Sequence, residues 1–399
     1  MEAYQTVNAV STPVRETFLP FNQPDVRQAE IDEVIDTLRS GWLTTGPKTK
    51  EFEQRFAAYV GARQAVAVNS CTAALHVALA AAGIGPGDEV IVPTLTFCAT
   101  ANVVIHLGAT PILVDVEADT LNMNPRCLEA ALTPKTKAII PVHLYGHPAD
   151  MDQISAIARA NRLLVLEDAA HAVSAEWCGQ RIGSLSPATA FSFYAIKNLT
   201  TGEGGMITTD DAEYAQNMRM FSLHGISHDA WKRYSAEGSW YYEVAFPGFK
   251  CNLSDIQSSL GLHQLSRLED LLRCRTSLVA RYNAGLSALP EIERPSLRPG
   301  VRHAWHLYAI RLRLEMLTIN RAQFIDCLKA EGIGTSVHFI PLHRQPYYRD
   351  RFGLTPADFP VADAAYLRLI SLPLFTRMTD HDVDDVIEAV RRVVERHRR

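Results

Sequence analysis

Short runs of β-branched and small apolar residues alternate with helical stretches between residues 65 and 208, and no other feature constrains the fold so tightly. The runs fall at 65–69, 89–92, 111–115, 138–142, 163–167, 189–194 and 205–208. The first stretch between them, 72–82, is nearly all Ala, Leu and Val. Strands that are apolar on both faces and joined by helices need cover on both sides. This predicts an α/β fold around a mostly parallel central sheet.

Outside this block the pattern changes. Residues 1–17 are polar and aperiodic and are expected to form a flexible N-terminal arm. Ile31, Val34, Ile35 and Leu38 recur at helical spacing over 28–38, and Ser40-Gly41 ends that helix. After about residue 210 helical spacing dominates, with one long amphipathic stretch from 254 to 286. Pro290, Pro295 and Pro299 then punctuate a connection. Beyond it come a strand-like run at 306–312, a helix over 321–331, a strand at 336–340 and a final helix from Thr379. The expectation is a large α/β domain over 18–289 and a small α+β domain over 290–399, since 399 residues exceed one compact core.

Composition narrows the function classes. With 47% hydrophobic and 21% charged residues, and no apolar run approaching bilayer length, neither disorder nor a membrane span is expected. The seven cysteines are scattered without CxxC pairing, which argues against a disulfide framework and against a metal site. The first residues lack a basic patch followed by an apolar stretch, so a cytoplasmic location is expected. A net charge of −5, with the arginines of 391–399 at the solvated end of a terminal helix, gives no electrostatic support for nucleic-acid binding.

Ligands of open α/β sheets lie beyond the carboxyl ends of the strands, and four such places carry chemistry. Asn69-Ser70-Cys71-Thr72-Ala73 opens the Ala-rich helix, where free amides suit a phosphate, although Ser70 or Thr72 could simply cap the helix. Thr96-Phe97 follows the second run and offers a ring either for stacking or for core packing. Asp168 follows the fifth run; a carboxylate there can keep a pyridine nitrogen protonated, or else cap a helix or bind a metal. Lys197 stands 29 residues later among apolar neighbours that favour a nucleophilic amine, though a strand-end lysine is often only a surface residue. Together the four supply a phosphate cradle, a ring stacker, a pyridinium partner and a Schiff-base lysine.

These residues sit in motifs that resemble the DegT/DnrJ/EryC1/StrS sugar aminotransferases, fold-type I enzymes that use pyridoxal 5'-phosphate. The resemblance runs from about Leu19 to the C-terminus. It rests on Ser40-Gly41-Trp42-Leu43-Thr44-Thr45-Gly46-Pro47, Asn69 to Leu75, Gly87 to Pro93, Glu167-Asp168-Ala169-Ala170-His171-Ala172, Ser192 to Lys197 with Glu203-Gly204-Gly205, and Pro341-Leu342-His343. Gly248-Phe249-Lys250-Cys251-Asn252 and His303-Ala304-Trp305-His306 are similar to the branch that aminates UDP-linked 4-keto-arabinose.

The resemblance implies that Thr72, Ala73 and Ser192 hold the cofactor phosphate, Phe97 stacks on the ring, Asp168 pairs with its nitrogen and His171 lies near its phenolic oxygen. Lys197 is then both the Schiff-base lysine and the acid/base. It also implies a homodimer with composite sites, in which Lys250 or Asn252 reaches the partner's phosphate. Thr45, Lys232, Arg233, His338 and His343 are candidates for the sugar nucleotide; solvated charges and packed structural histidines are the alternatives. The expected reaction moves an amino group from L-glutamate to the keto carbon, C4 or else C3, of a nucleotide-linked keto sugar. A dehydratase on the same fold would carry histidine in place of Lys197, and a non-catalytic sugar sensor would not need Asp168, Lys197 and the cradle together.

Overall fold

The computed structural model describes residues 12–226 and 241–399. Its first part runs α1 (Gln28–Ser40), α2 (Pro47–Val60), β1 (Gln64–Val68), α3 (Cys71–Ala81), β2 (Glu89–Pro93), α4 (Ala99–His106) and β3 (Thr110–Val114). There follow α5 (Pro125–Ala130), β4 (Thr136–Ile139), α6 (Met151–Asn161), β5 (Leu164–Asp168), the short β6 (Glu176–Trp177) and β7 (Gln180–Arg181), β8 (Ala188–Ser192), β9 (Gly205–Thr209) and α7 (Ala212–Ser222). The remainder is α8 (Asp255–Ser266), α9 (Leu268–Gly285), β10 (Ile292–Glu293), β11 (Val301–Arg302), β12 (Tyr308–Leu312), α10 (Arg321–Ala330), α11 (Pro346–Phe352), α12 (Pro360–Tyr366), β13 (Leu369–Leu372) and α13 (Asp380–His397).

The central sheet has seven strands in the order β1-β9-β8-β5-β4-β2-β3. It is parallel from β3 to β8, and only β9 runs against its neighbours, so the sheet is mostly parallel as expected. On one face Phe56 of α2 meets Phe191 at 5.0 Å and Phe193 at 5.4 Å between ring centroids, and all three are fully buried. Because side chains alternate along a strand, burying Phe191 and Phe193 in this cluster turns Ser192 to the opposite face. Phe56→Ala is expected to lower stability by about 3–5 kcal/mol. Denaturant unfolding measures it, and a loss under about 1 kcal/mol would contradict this packing role.

A second core gathers α9, β12, β13, α10 and α13, where Tyr282 stacks on Tyr308 at 4.8 Å and Phe324, Val386 and Val390 are fully buried. Two sequence expectations differ from what is found. The stretch 254–286 is two helices, broken at Arg267 (φ −111°), whose guanidinium pairs with Asp25 and Glu30. Of the strand expected at 336–340, only Ser336 makes a bridge, to Ser371. Within the expected flexible arm, Arg15 is held by Asp382 and Asp385 at 2.7 Å each, and its amide donates to the Glu331 carbonyl. No described helix is long and apolar enough to cross a membrane, and no described group of three acidic, His or Cys side chains could hold a metal.

Candidate active site

Strand pairing draws the expected phosphate cradle together. Ser192 at the end of β8 pairs with Gly205 at the start of β9, and Gly205 pairs in turn with Val68. A Cβ on Gly205 would lie 2.5 Å from the carbonyl carbon and oxygen of Ser70, so only glycine lets the start of α3 sit against this strand. Ser70 is the helix cap, accepting from the Ala73 amide at 3.1 Å. That leaves the Thr72 hydroxyl exposed at the same N-terminus, where unpaired amides and the helix dipole favour an anion. Nearby, Val68 bridges to Asn252, whose side chain donates to Thr45 Oγ1 at 2.6 Å and accepts from Lys250. Thr45, Lys250 and Asn252 thus form one cluster at the edge of the cradle.

Asp168 closes β5 and is buried. Its Oδ2 accepts from the Thr100 hydroxyl at 2.8 Å, and its Oδ1 accepts from the Ala170 amide at 3.1 Å with the Cys71 thiol at 3.9 Å. Burial pushes its carboxyl above the usual range, while Thr100, Ala170, Lys197 and His143 work in the opposite direction. Burial likewise lowers the Lys197 amine to about 8, with only Cys71 and Asp168 pulling it back up. At pH 7 such a group is neutral in about one molecule in ten, against roughly one in three thousand for an ordinary lysine.

Histidines line the other side. His171 is buried, and burial, with the charge of Lys197, pushes its ring well below the usual range and keeps it neutral. Its Nδ1 accepts from the Tyr145 amide at 3.2 Å, so its proton is on Nε2. The His306 ring lies 4.4 Å from that of His171 and meets Asn198 Oδ1 through Nδ1 at 3.1 Å, while Asn198 Nδ2 donates to the Ala304 carbonyl at 2.6 Å. Asn198, next to Lys197 in the chain, therefore fastens the lysine-bearing turn to residues 304–306. Behind that segment the buried Arg275 donates to the carbonyls of Trp305, His306 and Leu374.

Tyr145 is the hub of this side. It holds a left-handed backbone (φ 61°), uncommon for a residue with a Cβ, and costly by roughly 1 kcal/mol or more. In that conformation its amide reaches His171, its carbonyl accepts from the amides of His306 and Leu307, and its hydroxyl donates to the His338 carbonyl. Phe97, 57% exposed, shares Phe339 with His171: the ring centroids lie 5.8 Å from Phe339 in both pairs.

The structure thus gathers Asp168, Lys197, His171 and Phe97 with Ser192 and the start of α3. His338 is half-buried beside them, stacked on Phe21 and bonded to Ser371 Oγ at 2.9 Å; burial pulls its ring down to about 4. His343 corrects the sequence expectation. It is fully buried, and its two nitrogens engage Thr94 at 2.8 Å and Asp363 at 3.2 Å, so it braces β2 against α12 and has no nitrogen left for a sugar. Lys232 and Arg233 lie outside the described residues. Thr100, Tyr145, Asn198 and His306 were missed by sequence reasoning. The strand-end rule, applied to β4 and carried one turn further after β2, points to Tyr145 and Thr100; nothing in the sequence points to the partnership of Asn198 with His306.

The chemistry of these groups fits pyridoxal phosphate: a helix N-terminus beside hydroxyls for the phosphate, an exposed ring for a planar heterocycle, a buried carboxylate for a ring nitrogen, and an amine that burial makes nucleophilic. Comparison with known proteins agrees. The model of the DegT/DnrJ/EryC1/StrS aminotransferase family matches residues 24–391. The spore coat polysaccharide biosynthesis protein SpsC of Bacillus subtilis is 55% identical over 381 residues, covering 95% of this chain and 98% of that protein. A sugar aminotransferase described as putative, Spr1654 of Streptococcus pneumoniae, superposes in its PMP form with a TM-score of 0.90 at 40% identity, covering 95% of this chain and 99% of that one. PseC of Helicobacter pylori, an aminotransferase of pseudoaminic acid biosynthesis, superposes with a TM-score of 0.88 at 27% identity over 96% of this chain and all of that one. With the motif geometry and a match spanning nearly its whole length, the chain belongs to the DegT/DnrJ/EryC1/StrS aminotransferase family.

Proposed function

We propose that this chain is a pyridoxal-phosphate-dependent sugar aminotransferase, moving an amino group from L-glutamate to the keto carbon, at C4, of a nucleotide-diphosphate-linked keto sugar. The observation that carries the reading is the facing pair of Lys197, its amine lowered by burial to about 8, and the buried Asp168, at the carboxyl ends of one sheet. Bound there, pyridoxal phosphate supplies an electron sink for the carbanion formed at the carbon that loses or gains the proton.

The chain's own residues do the rest. Thr72, Ser192 and the first amides of α3 anchor the phosphate; the Ala73 amide, already engaged by Ser70, completes the turn that presents them. Phe97 covers one face of the ring. Asp168 keeps the ring nitrogen protonated, and His171 offers its Nε2 proton toward the phenolic oxygen. Lys197 would carry the proton from the donor's alpha carbon to the cofactor in one half reaction and from the cofactor to the sugar carbon in the other, ending each half in the protonation state in which it began. His338, with Thr45, Lys232 and Arg233, is assigned to the sugar nucleotide.

A homodimer completes the site in this reading, with Lys250 or Asn252 supplied to the partner's phosphate. It is supported by exposed Ile31, Ile35 and Leu38 on α1, followed in the chain by exposed Trp42 and Leu43, next to Thr45. Seven free cysteines fit a reducing cytoplasm. The test incubates the pyridoxamine form with a panel of nucleotide-linked 4-keto and 3-keto sugars and follows the return of aldehyde absorbance. Return with a 4-keto sugar nucleotide and not with its 3-keto counterpart supports the reading; return with 2-oxoglutarate, which reverses the donor half reaction, but with none of the sugar nucleotides refutes the sugar assignment.

A further inference from the structure

Asp168 has a task that its surroundings make hard. A carboxyl that keeps its own proton cannot hold a ring nitrogen protonated, and burial pushes this carboxyl toward keeping it. The groups that face it are the Cys71 thiol from α3, the Lys197 amine from the turn after β8, His143 from the connection after β4, the Ala170 amide and the Thr100 hydroxyl. Of these, the hydroxyl makes the shortest bond to the carboxylate, 2.8 Å to Oδ2.

Thr100 has one proton to give. Its oxygen lies 2.8 Å from Asp168 Oδ2 and 3.2 Å from the Phe97 carbonyl, and the shorter bond to a charged acceptor takes the proton. The Thr96 hydroxyl, 2.9 Å from that of Thr100, must then be the donor between the two. Both hydroxyls are buried. The result is a directed chain, Thr96 O–H to Thr100 O–H to Asp168, in which each bond polarises the next. The same turn carries Phe97, and the Thr100 amide bonds the Phe97 carbonyl at 3.3 Å, so one piece of backbone sets both the ring stacker and the brace of the carboxylate.

We propose that Thr100, backed by Thr96, is a positioning residue that orients Asp168 and keeps it anionic for the cofactor's ring nitrogen. This rests on the role of Asp168 in the proposed function. Valine has nearly the shape of threonine without the hydroxyl, so Thr100→Val removes the brace and also leaves the buried Thr96 hydroxyl without its acceptor.

The test reconstitutes Thr100→Val, Thr100→Ser, Asp168→Asn and the parent enzyme with pyridoxal phosphate labelled with ¹⁵N in the ring, and follows the nitrogen shift against pH. The Val variant is expected to bind cofactor while its ring nitrogen titrates about one to two pH units lower than the parent, the worth of a hydrogen bond to a charged group. Its kcat falls roughly tenfold to a hundredfold with KM little changed, and Ser restores both readouts. A Val variant that titrates and turns over like the parent overturns the proposal, provided Asp168→Asn shifts the nitrogen. If Asp168→Asn leaves the nitrogen unmoved as well, the Asp168 role itself falls and the proposal with it. Should Thr100→Val not fold, Thr96→Val decides: a smaller shift in the same direction supports the relay, and no shift overturns it.

Discussion

Lys197→Ala is expected to lower amino transfer by about 10⁴-fold or more while the protein stays folded. The lysine has two duties in the proposed reaction, holding the cofactor and moving a proton in each half, and alanine performs neither. The fold does not depend on it, because burial works against its charged form and deletion relieves that cost. The melting temperature should therefore hold or rise, and the phosphate end of the cofactor should still bind through the start of α3. Three measurements check this: steady-state transfer, thermal unfolding, and reductive trapping with borohydride, which labels the parent at Lys197 and leaves the variant unlabelled. Turnover above about a hundredth of the parent rate would remove Lys197 from its assigned role.

Asp168→Asn should cost about 10²–10³-fold in both half reactions, the scale found when one preorganised electrostatic partner is removed from a transition state. The amide has nearly the same shape but no charge, so it cannot hold a proton on the ring nitrogen. It also disturbs the local bonding. The Thr100 hydroxyl and the Ala170 amide each donate to a different carboxylate oxygen, whereas asparagine has a single acceptor oxygen. One donor must then meet an NH₂ group, or Thr100 must turn its proton to the Phe97 carbonyl and give up its short bond to residue 168, with a stability loss of about 1–3 kcal/mol. Single-turnover rates of the two half reactions and a urea melt separate these effects. Equal, near-parental rates in both halves would rule out the pyridinium role.

Much of the site was legible because the strands are short and apolar while the residues that follow them are not. Asp168 stands out from the chain alone, as does the small-residue opening of α3, since each marks a place where a buried run ends in a polar group; Ser192, inside the sixth run as read at 189–194, is reached only through the family resemblance. The fifth and seventh runs came within one residue of β5 and β9 for the same reason. What stayed hidden depends on contacts distant in sequence. The break falls at Arg267, whose guanidinium is held by Asp25 and Glu30, more than two hundred residues earlier, a pairing that local periodicity does not show. His343 looked like a ligand for want of any sign that Thr94 and Asp363 would occupy both its nitrogens. Residues 336–340 alternate like a strand, yet they pass the site and pair only through Ser336, a tertiary outcome that local periodicity does not encode.

The fastening of Asn198 to Ala304 and His306, with Arg275 bonded to the far side of the same segment, bears on how enzymes of this kind could be recombined. A chimera that imports the C-terminal third from a relative would receive residues 303–306 from one parent and the loop bearing the reactive nitrogen from the other. An error of an ångström in how they mate would displace the amine from its target even if both portions folded faultlessly. Exchange points that keep 193–201, 275 and 303–306 of common origin are therefore the ones expected to yield working hybrids, and crossovers placed between them should give soluble but idle protein.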